Sequence, residues 1–420
     1  MSTASNAAAV LSGLAEIRSW QETLYRDIHQ HPELSHQEYR TANLAADRLR
    51  RSGYEVRDSI GGTGVVGILR NGSGPTVLMR ADMDALPVQE ATGLPYASTV
   101  RATDAAGNEV PVMHACGHDV HVTCLLGAAA LFADATQRWN GTVIALFQPA
   151  EEVGDGARGM VDDGLVEAIP AVDVALAQHV LPAPAGLVGT HQGPVLSAAD
   201  SMRITVYGRG AHGSMPQAGV DSVVLAAMIV VRLQTIVSRE VAPTDTVVVT
   251  IGSIHAGSKS NVIGDHAVLE LNLRTYDESV RNTVLDAIRR IVIAECQASN
   301  SPKEPEFELY ERFPLTVNDG GATDRVNDAF GGYFGERLKP MAAQSASEDF
   351  SDIPNALGVP YTYWGIGGID EQQYRRAADA GRVSYDIPVN HAPTFAPVIQ
   401  PTLDTGTQAL VVAALAWLAG

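Results

Sequence analysis

The sequence predicts an α/β protein in which an open sheet domain is interrupted by a small ferredoxin-like domain. Three observations carry this reading. Short apolar runs bounded by glycine and proline (GPTVLMR, GTVIALFQ, AVDVALAQ, PYTYWGIG) alternate with helical stretches such as VTCLLGAAALFADA. That is the pattern of strands buried on both faces. Over about residues 199–312 the rhythm changes to strand, helix, strand, strand, helix, strand, the split-βαβ order. The chain then returns to finish the larger domain.

The elements follow in order. Residues 14–52 carry helical periodicity, and the N-terminal MSTASNAAAVLSGLAEIRSW lacks a basic start, so it reads as an amphipathic helix and not a signal peptide. In the middle segment MRITVYG reads as strand, VDSVVLAAMIVVRLQTIVS as helix, and TDTVVVTIGSI and HAVLELNLRTY as strands. DESVRNTVLDAIRRIVIAECQA reads as helix and EPEFELYERF as the last strand. Near the C-terminus ALVVAALAWLA is apolar but too short to span a bilayer, and reads as a docked core helix.

With 420 residues and 45% hydrophobic positions, the chain can bury a large core split over two domains. A net charge of −19 argues against nucleic acid or an anionic membrane as partner, since both need clustered Lys and Arg. Three cysteines exclude a disulfide framework and suit a reducing compartment. The expectation is a soluble, cytoplasmic protein.

The chemistry concentrates in MHACGHDVHVTC, Met113 to Cys124, at the start of a helix. Cys116 and His118 flank a glycine and can face the same way, and a helix N-terminus favours the thiolate that binds metal. Alone, such a pair is more often a half-buried turn. Four other segments place polar groups just after expected strands. Asp82 and Asp84 follow TVLMR, Glu151 and Glu152 follow TVIALFQ, His179 follows VALAQ, and Asn390 and His391 follow the short VSYDIPV run. In open α/β sheets the ligand crevice lies beyond the carboxyl ends of the strands, so these groups converge. Thiolate, imidazole and carboxylate together suit zinc or another transition metal. Adjacent carboxylates in one cleft raise each other's pKa, which implies a division of labour: one ligates and stays ionised, the other moves a proton. That is the site of a metal-assisted hydrolase.

Other residues carry weaker signals. Cys124 lies on the apolar stripe of its helix and reads as core, while Cys296 has no partners in the pattern. His114 and His121 read as supporting or local groups, and His29 and His31 as a helix end before Pro32. Asp84 is the better candidate for orienting a ligand, because a metal-bound histidine donates its other N–H to an acceptor. A serine nucleophile would need a G-x-S-x-G elbow, which does not occur. In the middle segment His212 lies in the Gly-rich loop GRGAHGSMPQAGVDS, and SNVIGDHAVLELNLRTY holds Asn261 and Arg274. By pattern alone these are an exposed loop histidine and a strand arginine with ordinary surface roles.

Taken together, RDIHQHPELS, RADMDALPVQE, MHACGHDVH, FQPAEEVGDGARGMVDDG, GRGAHGSMP, NVIGD, SEDFS and NHAPTF resemble the aminoacylase/carboxypeptidase family of dinuclear-metal peptidases. The branch resembled is the N-acyl-amino-acid amidohydrolases, which include hippurate hydrolases and auxin-conjugate hydrolases. The resemblance implies an open mixed-sheet, metallopeptidase-like catalytic domain of residues 1–198 and 313–420, with 199–312 as an inserted dimerisation and lid domain. It implies two divalent ions per subunit (zinc, manganese, cobalt or nickel) held by Cys116, His118, Glu152, His179 and His391, the cysteine shared. Glu151 would be general base and acid, and His212 would stabilise the oxyanion in a neighbouring subunit's site. Asn261 and Arg274 would bind the substrate carboxylate. Gly264 in NVIGD departs from the family's usual proline and loosens a turn beside Asn261. The implied reaction is hydrolysis of N-acyl-L-amino acids by a homodimer, a tetramer being the alternative assembly. A dipeptidase or carboxypeptidase using the same ions is the rival activity. A metal-binding module with a dead site is disfavoured by the presence of Glu151.

Overall fold

The computed structural model describes residues 3–418. Two compact units are present: Met1–Val195 with Val317–Ala343 and Asp349–Gly420, and Leu196–Thr316 with Gln344–Glu348.

The first unit is built on an eight-stranded mixed sheet. Across it the strands run Glu55–Ile60, Gly64–Asn71, Gly141–Gln148, Thr76–Asp82, Val174–Pro184, Tyr361–Ile369, Val188–Thr190 and Leu338–Pro340. The central four, from Gly141–Gln148 to Tyr361–Ile369, are parallel to one another. Thr76–Asp82 is buried at every position, as a strand covered on both faces must be. Its register decides where chemistry can gather. Asp82 pairs with Gln148, and Arg80 pairs with Ala177, so His179 comes level with Asp82. The RADMDALP and PAEE segments therefore leave the sheet along one edge.

The helix His118–Asp134 is buried over nearly its whole length, packed by Ile399–Leu418 and Leu14–Gln30. Its small residues permit that approach: a Cβ on Gly127 would meet Gln21 Nε2 at 2.0 Å. Cys124 is core, its Sγ 2.6 Å from where a Cβ on Gly406 would stand. The C-terminal helix is likewise a core element.

Three local expectations need correction. The periodicity over 14–52 divides into two helices, Leu14–Gln30 and Tyr39–Arg51, because Pro32 cannot extend the first. His179 lies inside its strand and not beyond it. VSYDIPV is no strand: Val383–Asp386 is a helical turn, closed by the Arg382 guanidinium on the Asp386 carboxylate.

The second unit is a four-stranded antiparallel sheet in the order Val247–Ala256, His266–Thr275, Ala198–Tyr207, Glu306–Phe313. Numbered along the chain this is 2-3-1-4, with Ser222–Thr235 and Glu278–Ala298 burying their apolar faces in its core. Asp221 and Asp277 cap the two helices by accepting backbone N–H groups of their first turns. The Gly-rich stretch, expected as loop, pairs Ala211–His212 with Val262–Ile263 in a short ribbon.

Candidate metal centre

Cys116 and His118 are brought together by Gly117, whose φ of +89° disfavours a side chain and on which a Cβ would stand 2.4 Å from Val180 Cγ1. His118 Nδ1 donates to the Asp84 carbonyl at 2.9 Å, which turns Nε2 into the crevice. His179 Nδ1 donates to the Val180 carbonyl at 2.8 Å, leaving Nε2 3.4 Å from Cys116 Sγ. From Glu152, one carboxylate oxygen lies 3.4 Å from His391 Nε2 and the other 3.9 Å from His118 Nε2. Glu151 reaches within 3.8 Å of the same His118 nitrogen.

Of the donor groups whose ligand atoms lie within 4.8 Å of one another, three gather the residues singled out in the sequence: Cys116–His118–His179, Cys116–Glu152–His391 and His118–Glu151–Glu152. Cys116 belongs to two of them. All six residues lie in the first unit, and all but His391 are largely withdrawn from solvent.

The donors also suit a cation electrostatically. His118 Nε2 and Glu152 Oε1 are buried without hydrogen-bond partners, a condition that costs about 1–3 kcal/mol per group. Burial, then Glu152, pushes the Cys116 thiol well above its usual range. Burial also lifts Glu152 to about 8, against the pull of His118 and with the help of Asp84 and Asp82. Burial works against the His118 imidazolium, yet Asp82 and Cys116 hold its pKa well above normal. Burial and then His121 hold His179 well below, and burial with His118 lowers His391. Soft sulfur, imidazole and carboxylate donors around orphaned atoms fit a divalent transition ion.

Asp84 touches two candidate ligands: it accepts the Glu152 backbone N–H at 3.0 Å and stands 3.3 Å from His118 Nδ1. His121 is committed elsewhere. Its Nε2 accepts the Val180 N–H at 2.9 Å and its Nδ1 donates to Asp82 at 2.5 Å. His114 is a buried neutral histidine, its pKa lowered to about 4 by burial.

The candidates of the second unit fall in two places. His212 and Asn261 are neighbours at the ribbon, where Gly213 N–H donates to the Asn261 carbonyl at 2.8 Å, and both are exposed. Arg274 sits on His266–Thr275, half-buried, donating at 3.0 Å to the Ser345 carbonyl and to Ser347 Oγ. His212 and Arg274 therefore occupy different strands and different hydrogen-bond neighbourhoods.

The profile of Peptidase family M20/M25/M40 matches residues 78–379. The chain belongs to that family. It is 38% identical over 338 residues to hippurate hydrolase of Campylobacter jejuni, covering 78% of this chain and 83% of that one. It is 36% identical over 345 residues to N-acetyl-L-cysteine deacetylase of Bacillus subtilis, covering 82% and 79%. Thermostable carboxypeptidase 1 of Saccharolobus solfataricus is 38% identical over 363 residues, covering 85% and 88%. Among solved structures, the YXEP protein of Bacillus subtilis, a dinuclear metal-binding peptidase of the M20 family, superposes with TM-score 0.76 at 28% identity. That match covers 96% of this chain and 98% of that one. The chain is thus a hydrolase of a metallopeptidase family.

In this M20/M25/M40 chain several supporting residues carried no assignment in the sequence. Arg80, 1% exposed, donates to Gln148, Asp82 and Asp349. Glu38 accepts the Ala150 N–H at 2.8 Å and so holds the left-handed turn (φ 51°) that precedes Glu151. The signal for Arg80 was available, since a charge within an apolar parallel strand demands partners. Glu38 had none.

His29 supports the helix start: its ring bonds Asp119, next to His118, at 2.6 Å and Glu90 at 3.2 Å. Burial opposes its charge, but the Asp119 and Glu90 hydrogen bonds raise its pKa to about 9. A pKa raised above the unfolded value of about 6.5 gives stability that is full below that value and lost as pH rises through about 9. His29→Gln is therefore expected to lower the unfolding midpoint strongly at pH 6 and much less at pH 9.5. Melts of both proteins across that range check it, and a pH-independent gap would show that His29 is not held as the cation.

Proposed function

We propose that this M20/M25/M40 peptidase hydrolyses the amide bond of N-acyl-L-amino acids, releasing a carboxylic acid and a free amino acid. The adjacent pair Glu151–Glu152 carries the reading. Glu152 faces Cys116 and His391 as a ligand would, whereas Glu151 is 5% exposed at the edge of the same donor set. Cys116, His118, Glu152, His179 and His391 would hold two divalent ions, with Cys116 common to both groups. The donor set suits zinc, cobalt or nickel, and the family resemblance adds manganese. When bound, such ions supply Lewis acidity to the amide carbonyl and lower the pKa of water.

The chain's own groups then do the following. Glu151 accepts the proton of the attacking water and returns it to the leaving amine. His212 donates to the developing oxyanion, and Arg274 and Asn261, although they lie in different hydrogen-bond neighbourhoods of the second unit, each contact the substrate carboxylate. Asp84 keeps the His118 ring and the Glu152 backbone in place. The relatives that cleave hippurate and N-acetyl-L-cysteine support amide hydrolysis, and the carboxypeptidase relatives support the rival substrate class.

A homodimer through the second unit is the proposed assembly, with residues 199–312 acting as dimerisation and lid domain and a tetramer as the alternative. Val247–Ala256 is an edge strand, and Val223, Val224, Met228 and Val231 stand exposed on the neighbouring helix. Ser222–Glu240 is long and apolar enough to cross a membrane, but its other face, Leu225, Ala226, Ile229 and Leu233, is packed in the core of the unit. A second copy fits such a half-covered helix better than lipid. Three unpaired, buried cysteines support a reducing, cytoplasmic setting.

The test is a hydrolysis screen of N-acyl amino acids and dipeptides, with metal content measured on the same sample. Turnover of N-acyl amino acids that chelation abolishes and divalent ions restore is expected. Full activity in metal-free protein would overturn the mechanism, and turnover of dipeptides alone would move the substrate class to the peptidases.

A further inference from the structure

We infer that Asn390 is a positioning residue that ties the segments carrying Cys116, His179 and His391 into one donor set. Its Nδ2 donates to the Cys116 carbonyl at 3.0 Å and to the Val180 carbonyl at 3.2 Å, and stands 3.9 Å from Cys116 Sγ. One amide nitrogen has two hydrogens, so both carbonyls are served at once. The two carbonyls belong to chain segments that have no backbone ladder between them at this point. Asn390 bridges these two carbonyls, alongside the Val180 N–H bond to His121 that also links the segments.

The same side chain governs the third segment. His391, next in sequence, has φ 71°, and its N–H donates to the Ala115 carbonyl at 2.8 Å. A left-handed histidine persists only where its surroundings fix it. The fixing groups here include Asn390, the Ala115 carbonyl and the turn closed by the Ala392 N–H on the Val389 carbonyl at 3.0 Å, in a stretch outside regular structure. The Val180 carbonyl also receives His179 Nδ1–H, while the Val180 N–H goes to His121. Asn390 thus completes the bonding of the peptide that sets which nitrogen His179 offers. Without its donors, the Cys116 and Val180 carbonyls separate and three candidate ligands lose their common frame.

This rests on the reading that Cys116, His179 and His391 bind metal, and the experiment separates the two. Zinc affinity of the demetallated full-length protein is measured by competition with a chromophoric chelator. The cobalt-loaded form is examined for its thiolate-to-metal absorption band. Asn390→Asp keeps the volume and removes both donors, and Asn390→Ser keeps the test usable if the aspartate variant does not fold. Both are expected to weaken zinc binding roughly 10–100-fold and to shift the cobalt band. The unfolding midpoint of the metal-free form is measured alongside, and only variants that still unfold cooperatively are compared. Zinc affinity and cobalt spectrum within twofold of wild type in either folded variant would overturn the proposal. Cys116→Ser is the control: loss of zinc there with wild-type behaviour of the Asn390 variants sinks the role of Asn390 alone. Retention of zinc in Cys116→Ser sinks the ligand reading beneath it.

Discussion

Glu151→Gln is expected to keep its metal content and lose turnover by ~10²–10⁴-fold, with the loss falling on kcat and not KM. The amide matches the carboxylate in shape, so the turn that presents it should survive. That turn is fixed by elements the substitution does not touch: the Glu38 carboxylate on Ala150, and Gly156, whose Cβ would stand 1.7 Å from the Pro149 carbonyl oxygen. What changes is proton affinity. Glutamine cannot take the proton of the attacking water, and it cannot hand one to the leaving amine. One substitution therefore removes both proton transfers. Glu152→Gln should behave differently, losing metal first, because Glu152 shares donor groups with Cys116, His391 and His118. Kinetics and metal analysis of the two variants side by side decide the assignment. A loss below tenfold in Glu151→Gln would place the base elsewhere, and metal loss there with retention in Glu152→Gln would exchange the two roles.

Much of this site was legible because its residues violate local rules. Adjacent carboxylates after an apolar strand, and a Cys-x-His turn before a helix of small residues, have no reason in core packing. The fold was legible for the complementary reason: strands such as TVLMRAD open on an apolar run and are buried along their length because helices cover both faces. Illegibility had its own causes. Arg80 declares itself as an anomaly, but Gln148 and Asp349 lie far along the chain and nothing local names them. The ribbon of Ala211–His212 and Val262–Ile263 is too short to leave an alternation. VSYDIPV has the composition of a strand, and only the Arg382–Asp386 pair, an i,i+4 contact, marks it as a helical turn. Asn390 was seen beside His391, but its function is a matter of which carbonyls it reaches, and those come from two other segments.

His212→Ala is expected to be nearly inactive alone, by ~10²–10³-fold if it removes one oxyanion donor, and to be rescued by mixing with Glu151→Ala. The tautomer favours that role. Ser214 N–H donates to His212 Nδ1 at 3.1 Å, so the neutral ring carries its proton on Nε2 and offers it outward. The ring is exposed, on a unit whose edge strand and half-covered helix suit a second copy. If each His212 completes the neighbour's site, a mixed dimer of the two variants contains one doubly broken site and one wholly intact site. Random reassortment makes about half of all dimers mixed, so roughly a quarter of the sites should recover. Activity is measured after subunit exchange, with exchange itself followed by mass-tagged chains. Recovery near a quarter of wild type places His212 in the partner's site. A mixture that exchanges fully and remains as inactive as its parents would put any function of His212 within its own subunit.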